Sequence, residues 1–263
     1  MNRIDATFRR LKKERKKAFI SFITAGFPDL KATGKLILEL SANGADIIEL
    51  GIPFSDPVAD GAVIQEASQW ALERNKVNLG GVLKLVKSVR ARTPVPICFM
   101  SYFNPIFSFG LEKFLRAASE AGVDGLIIPD LPPEESRGLQ KLSRKFKINV
   151  INFIAPTTGL ERMKHICRSS RGFIYYISLT GTTGARKSLP AGLRKNILKV
   201  KKLTSKPVCV GFGVSSPDQV KVVAESADGV IVGSAIVRKI RENIGKKNLA
   251  AAVGKFVRRL SGK

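Results

Sequence analysis

The sequence has one histidine, His165, and three cysteines, Cys98, Cys167 and Cys209, far apart along the chain. His165 lies in a polar helical stretch with no ligand-spaced partners, so nothing points to a metal site, and a single imidazole argues against a catalytic Ser/His dyad. Cys98 and Cys209 fall inside apolar strand-like runs, where a small buried thiol is the ordinary reading and a redox pair is not. No strand end carries a lysine, which argues against a Schiff-base aldolase. Long apolar runs are missing too. Residues 19–23 and 229–232, among the longest, are strand-length and far short of the roughly 18 residues of a membrane span. The chain opens on charged residues and an amphipathic stretch without an apolar signal region, so a cytoplasmic protein is expected.

Acidic residues are scarce beside basic ones, 21 against 45, for a formal net charge of +24. A balance of that size raises nucleic-acid or anionic-membrane binding as a possibility. The basic residues concentrate in 9–17, 187–206 and 238–263, helical-looking segments that lack interleaved aromatics for stacking bases, and none sits in a strand core. Solvated helix faces are the simpler reading; an acidic protein partner or adventitious polyanion binding stays open. No linker, low-complexity run or shift in composition divides the 263 residues, of which 44% are hydrophobic. One domain, 1–263, is expected.

Short apolar runs alternate with patterns of period near 3.6, as parallel strands alternate with crossover helices. The strands are placed at 19–24, 47–50, 97–101, 125–128, 150–154, 173–177, 208–210 and 229–232. Eight closes a (β/α)8 barrel, and continuously apolar strands imply burial on both faces. The fold class is therefore α/β, a (β/α)8 TIM barrel with an extra N-terminal helix at about 3–16 that plugs its bottom. Gly44-Ala45-Asp46, Gly122-Val123-Asp124 and Ser226-Ala227-Asp228 form a weak repeat, each ending a helix and opening a strand. Their aspartates lie at the bottom face, where turn and cap chemistry is expected. Catalysis belongs at the opposite strand ends, and two connections there, 51–61 and 178–191, exceed the usual βα length.

Glu49 interrupts the apolar run Ile47-Ile48-Glu49-Leu50 at the C-terminal end of a strand. Desolvation at the barrel mouth disfavours its ionised form and suits it to donate as well as accept a proton. The competing reading is a buried acid paired with a base, although nearby strand ends offer no Lys or Arg. Asp60 closes a loop stiffened by Pro53 and Pro57 and stands just ahead of a helix, so it is either a second catalytic carboxylate or that helix's cap. Gly211-Phe212-Gly213 and Gly233-Ser234 follow the last two strands, where backbone amides and a helix N-terminus form the recurrent barrel phosphate site. The segment 178–186, with two glycines and three threonines, reads as a lid.

ELGIPFSDPVADG at 49–61, FITAG at 22–26, PDLPPEE at 129–135, SLTGTTGAR at 178–186 and GFGVSSPDQV at 211–220 resemble the tryptophan synthase alpha chain over essentially the full length. The 49–61 segment is the specific signal. The resemblance implies a metal-independent carbon–carbon lyase of tryptophan biosynthesis, cleaving indole-3-glycerol phosphate to indole and glyceraldehyde 3-phosphate without a cofactor in this subunit. Glu49 and Asp60 are implied to be its acid–base pair. The implied indole slot is Phe22, Ile64, Met100, Ile127, Phe153, Tyr175 and Phe212, with Tyr175 able to hydrogen-bond near Glu49. Thr183 on the lid is implied to bond Asp60. Phosphate is implied to fall to Gly184, Gly213, Gly233 and Ser234. The implied partner is a pyridoxal-phosphate beta subunit in a heterotetramer, taking indole through a tunnel and touching Pro53, Asp56, Asn104 and Pro132. Two positions depart from the family's pattern, Ala62 for a usual proline and Thr182 for a common valine; they bear on loop rigidity and lid kinetics. A stand-alone indole-releasing lyase is the nearest rival, and a non-catalytic activating subunit fits poorly with Glu49, Asp60 and Thr183 intact.

Overall fold

The eight apolar runs become eight parallel strands in a computed structural model that describes residues 1–177, 192–211 and 213–263. They are β1 (Ala18–Thr24), β2 (Ile47–Gly51), β3 (Ile97–Met100), β4 (Gly125–Ile127), β5 (Asn149–Ile154), β6 (Ile174–Ile177), β7 (Val208–Gly211) and β8 (Gly229–Val232). Each pairs with its sequence neighbour and β8 returns to β1, closing the barrel. The ends differ from the sequence reading by a single residue. One such shift matters: Gly211, read as the first loop glycine after the seventh strand, is instead its last residue, paired with Ile177. A side-chain carbon there would lie 2.5 Å from the Tyr175 hydroxyl oxygen, so only glycine allows that close approach.

The helices among the described residues are α1 (Arg3–Lys13), α2 (Leu30–Ala42), α3 (Ala62–Asn75), α4 (Leu79–Arg90), α5 (Phe103–Phe109), α6 (Leu111–Ala121), α7 (Arg137–Lys145), α8 (Leu160–Ser169), α9 (Leu193–Lys201), α10 (Pro217–Ala224), α11 (Ser234–Arg241) and α12 (Leu249–Ser261). Helical spacing sets their inward faces: Leu36, Ile37 and Leu40 of α2, Val82 and Val86 of α4, and Ile197 and Val200 of α9 are all fully buried. None of these helices is long and apolar enough to cross a membrane.

Inside the barrel, Cys98 and Cys209 are buried beside glycines on the next strand: side-chain carbons at Gly125 and Gly229 would come within 3.0 and 2.7 Å of their sulfurs. Burial pushes both thiols well above the usual cysteine range, which makes them inert filling.

The bottom face is built as expected. Ile4, Phe8 and Leu11 of α1 are buried, and the Phe8 ring lies 5.8 Å from that of Phe173. Asn2 accepts from Ile4 N and donates to the carbonyls of Asp124 and Lys147, docking α1 on the starts of β4 and β5. The three repeat aspartates share one task. Asp46, Asp124 and Asp228 accept from the backbone N–H of Phe19, Ile97 and Val208, so each acid before a strand ties down the start of the preceding one. Each also meets basic side chains, Arg10 and Lys263, Arg3 and Arg90, and Lys17 and Lys201 respectively.

Candidate active site

Glu49 owes its place to strand register. It pairs with Phe22 on β1 and Cys98 on β3, and is 1% exposed near the top of the barrel. Neither carboxyl oxygen has a hydrogen-bond partner among the described residues, and no cation stands against it. Among the described residues, Glu49 is therefore not a buried acid paired with a base. Burial pushes its pKa up to about 8, with the charge of Asp60 adding to the effect. Tyr175, expected near Glu49, lines the same cavity.

Asp60 ends the loop between β2 and α3 and is 6% exposed. The loop is folded on itself: Asp60 N donates to Pro57 O at 3.0 Å, and Gln65 Nε2 donates to Asp60 O at 2.9 Å. The N-cap of α3 is Gly61, with no side-chain cap, so Asp60 is not the cap that its sequence position allowed. Its Oδ2 lies 3.2 Å from the hydroxyl of Tyr102. Burial raises its pKa to about 6, and the Tyr102 hydrogen bond opposes that rise. Near pH 7 the two acids thus differ: Glu49 holds a proton to give, and Asp60 is mostly a carboxylate ready to accept.

Both acids line one cavity that encloses about 500 Å³, part of it open to solvent. Phe22, Ile64, Met100 and Tyr175 supply apolar lining, and Gly213, Gly233 and Ser234 line the same cavity. Strand glycines make room for the rings: a side-chain carbon at Gly51 would sit 2.6 Å from the Phe22 ring. Gly213 has φ +88°, in the left-handed region, and α11 begins at Ser234 with no side-chain cap, leaving its first turn open to an anion. Two expected slot residues are not part of this lining: Ile127 is wholly buried, and Phe153 is half-buried, lines a neighbouring pocket and sets its ring 4.7 Å from that of Tyr175 with the planes tilted by 48°. Thr182, Thr183, Gly184 and Phe212, and with them the whole 178–186 lid and the 178–191 connection that holds it, lie outside the described residues. Of the expected partner contacts, Asp56 and Asn104 are exposed and Pro132 half-buried, but Pro53 is buried within the chain.

Two residues escaped the sequence reading. Arg238 lines the cavity without an ion-pair partner among the described residues; its position four residues after Ser234, on the same helix face, was the available signal. Tyr102 contacts Asp60 across 42 residues, and no local pattern announces it.

Comparison with known proteins agrees with this geometry. The family model described as tryptophan synthase alpha chain matches residues 8–261. The tryptophan synthase alpha chain of Geobacter sulfurreducens is 48% identical over 257 residues, 98% of this chain and 97% of the relative; that of Geotalea daltonii is 47% identical over 247 residues, 94% and 93% of the two. The crystal structure of tryptophan synthase subunit alpha from Legionella pneumophila superposes with a TM-score of 0.92 at 40% identity, covering 100% of this chain and 98% of that one. A chain of the tryptophan synthase a2b2 complex from Pyrococcus furiosus gives 0.86 at 39% identity, covering 94% and 98%. With a closed barrel, two buried carboxylates in one cavity and near-complete sequence coverage, the chain belongs to the tryptophan synthase alpha chain family.

Proposed function

We propose that Glu49 and Asp60 carry the carbon–carbon lyase reaction of this family, the cleavage of indole-3-glycerol phosphate to indole and glyceraldehyde 3-phosphate. The supporting observation is the buried carboxyl of Glu49, without a hydrogen-bond partner among the described residues, sharing a cavity with a more acidic Asp60. Protonated Glu49 gives its proton to the indole ring carbon that bears the glycerol chain, turning the ring into an indolenine. Positive character develops at the ring nitrogen, and the Asp60 carboxylate accepts its N–H. Glu49, now ionised, takes the proton of the adjacent glycerol hydroxyl as the carbon–carbon bond breaks; the electron pair returns to the ring and Glu49 is again protonated. No proton is gained or lost overall.

Phe22, Ile64, Met100 and Tyr175 hold the flat ring, with Phe153 packed against Tyr175 and Ile127 buried in the barrel core. Gly213, Gly233 and Ser234 hold the phosphate together with Gly184, and Thr183 and Phe212 complete the site from segments outside the described residues. The reaction needs no cofactor in this subunit. Indole passes to a beta subunit that carries pyridoxal phosphate, in an α2β2 assembly in the cytoplasm, and Asp56, Asn104 and Pro132 face that partner, with Pro53 buried in the loop that carries Asp56. Indole release from indole-3-glycerol phosphate, measured with and without a cognate beta subunit, tests the reading. Turnover by this chain that rises when the partner is added is expected. Full activity alone, unaffected by the partner, identifies a stand-alone lyase, and unchanged turnover in Glu49→Gln sinks the mechanism.

A further inference from the structure

Tyr102 touches the Asp60 loop at three points. Its hydroxyl accepts from Ala59 N at 2.9 Å and lies 3.2 Å from Asp60 Oδ2, and its ring centroid is 5.2 Å from that of Phe54. The residue is buried between the end of β3 and the start of α5, so the contact is anchored to the barrel and not to the loop itself. A phenol has one proton to donate. With the Ala59 N–H directed at its oxygen, the hydroxyl turns its proton toward Asp60, and an oxygen that receives it serves best when ionised.

We propose that Tyr102 is a positioning residue for Asp60: it keeps that carboxylate an acceptor, fixes it through Oδ2 and leaves Oδ1 for the ring N–H of the substrate. The last element rests on the lyase reading; the control of Asp60 does not. The contrast with Glu49 supports it, since Glu49 lacks any donor among the described residues and stands higher in pKa than Asp60. The other ionisable groups around the pair are Glu49 on β2, Tyr175 on β6 and Arg238 on α11, all lining the cavity, and Asp130, whose carboxylate accepts from Phe103 N beside Tyr102. A phenylalanine at 102 leaves all of them in place.

The test is carbon-13 NMR of protein labelled at the aspartate carboxyl carbons, with Asp60→Asn identifying the Asp60 resonance. In Tyr102→Phe, which keeps the ring against Phe54, the Asp60 midpoint is expected to rise by about one pH unit. The acid limb of kcat/KM for indole release moves with it, giving a loss of about fivefold at pH 6 that shrinks toward pH 7.5. Coincident Asp60 titrations in parent and variant overturn the proposal. If the parent releases no indole the lyase reading fails, yet the NMR arm still decides the role of Tyr102. Should Tyr102→Phe fail to fold, 3-fluorotyrosine placed at position 102 alone, a stronger donor, lowers the Asp60 midpoint; an unmoved midpoint overturns the proposal equally.

Discussion

Glu49 and Asp60 share a cavity but differ in what surrounds each carboxyl group. Glu49 meets no donor among the described residues, whereas Asp60 receives the Tyr102 hydroxyl, so desolvation acts almost unopposed on the first and is partly offset on the second. The pH profile of kcat/KM follows directly. Activity is expected to rise as Asp60 ionises near pH 6 and to fall as Glu49 loses its proton near pH 8, and a flat profile across that window contradicts the assignment. Glu49→Gln is expected to lower kcat by about 10²- to 10⁴-fold with little change in KM. The same substitution bears on stability. Folded Glu49 retains a proton that the unfolded chain releases above about pH 4.5, so its contribution weakens the fold progressively as pH rises toward 8. Urea titration should find Glu49→Gln the more stable form at pH 8, by roughly 1–3 kcal/mol, with the gap closing by pH 5. Arg238 offers a further test: Arg238→Ala is expected to raise KM about tenfold and leave kcat nearly intact, since a cation lining the cavity near an uncapped helix start favours a bound phosphate.

At the level of elements, helix α1 and the Asp60 loop occupy opposite ends of the barrel and do different work. The helix was legible in the sequence because Ile4, Phe8 and Leu11 recur at helical spacing between charged residues. Its docking depends on a single buried stripe over β4 and β5. Ile4→Ala is expected to cost about 2–4 kcal/mol in urea unfolding while leaving KM unchanged, because its packing lies at the face away from the cavity. A matching loss in substrate affinity would show that the two faces are coupled. The loop, by contrast, was readable as long and proline-stiffened but not as folded. Its hydrogen bonds run from Asp60 N to Pro57 O, from Gln65 to Asp60 O and from Ala59 N to Tyr102, and the last crosses to another strand's end.

For the whole molecule, the charge of +24 remains the property least tied to the site. The bottom-face cations are spent on Asp46, Asp124 and Asp228, while Arg194, Lys195, Lys199 and Lys202 of the α9 region form a basic surface of their own. Such a surface binds polyanions through counterion release. Fluorescence anisotropy with a labelled DNA duplex should detect binding at about 20 mM salt and lose it by about 150 mM; retention at the higher salt would mark nucleic acid as a true partner.

The eight strands, the plugging helix, the bottom-face position of the three repeat aspartates and the candidacy of Glu49 were all determined by the sequence, because each is written in local pattern: apolar runs, helical spacing, a short repeat, or a lone acid at a strand end. The tertiary structure decided what depends on distant neighbours. It placed Tyr102 against Asp60, left Ile127 and Phe153 out of the cavity lining, made Gly211 a strand residue beneath the Tyr175 hydroxyl, and brought Arg238 to the cavity. Closing a barrel fixes which side chains from different strands share its interior, and that register is a property of the whole ring of hydrogen bonds and not of any one segment.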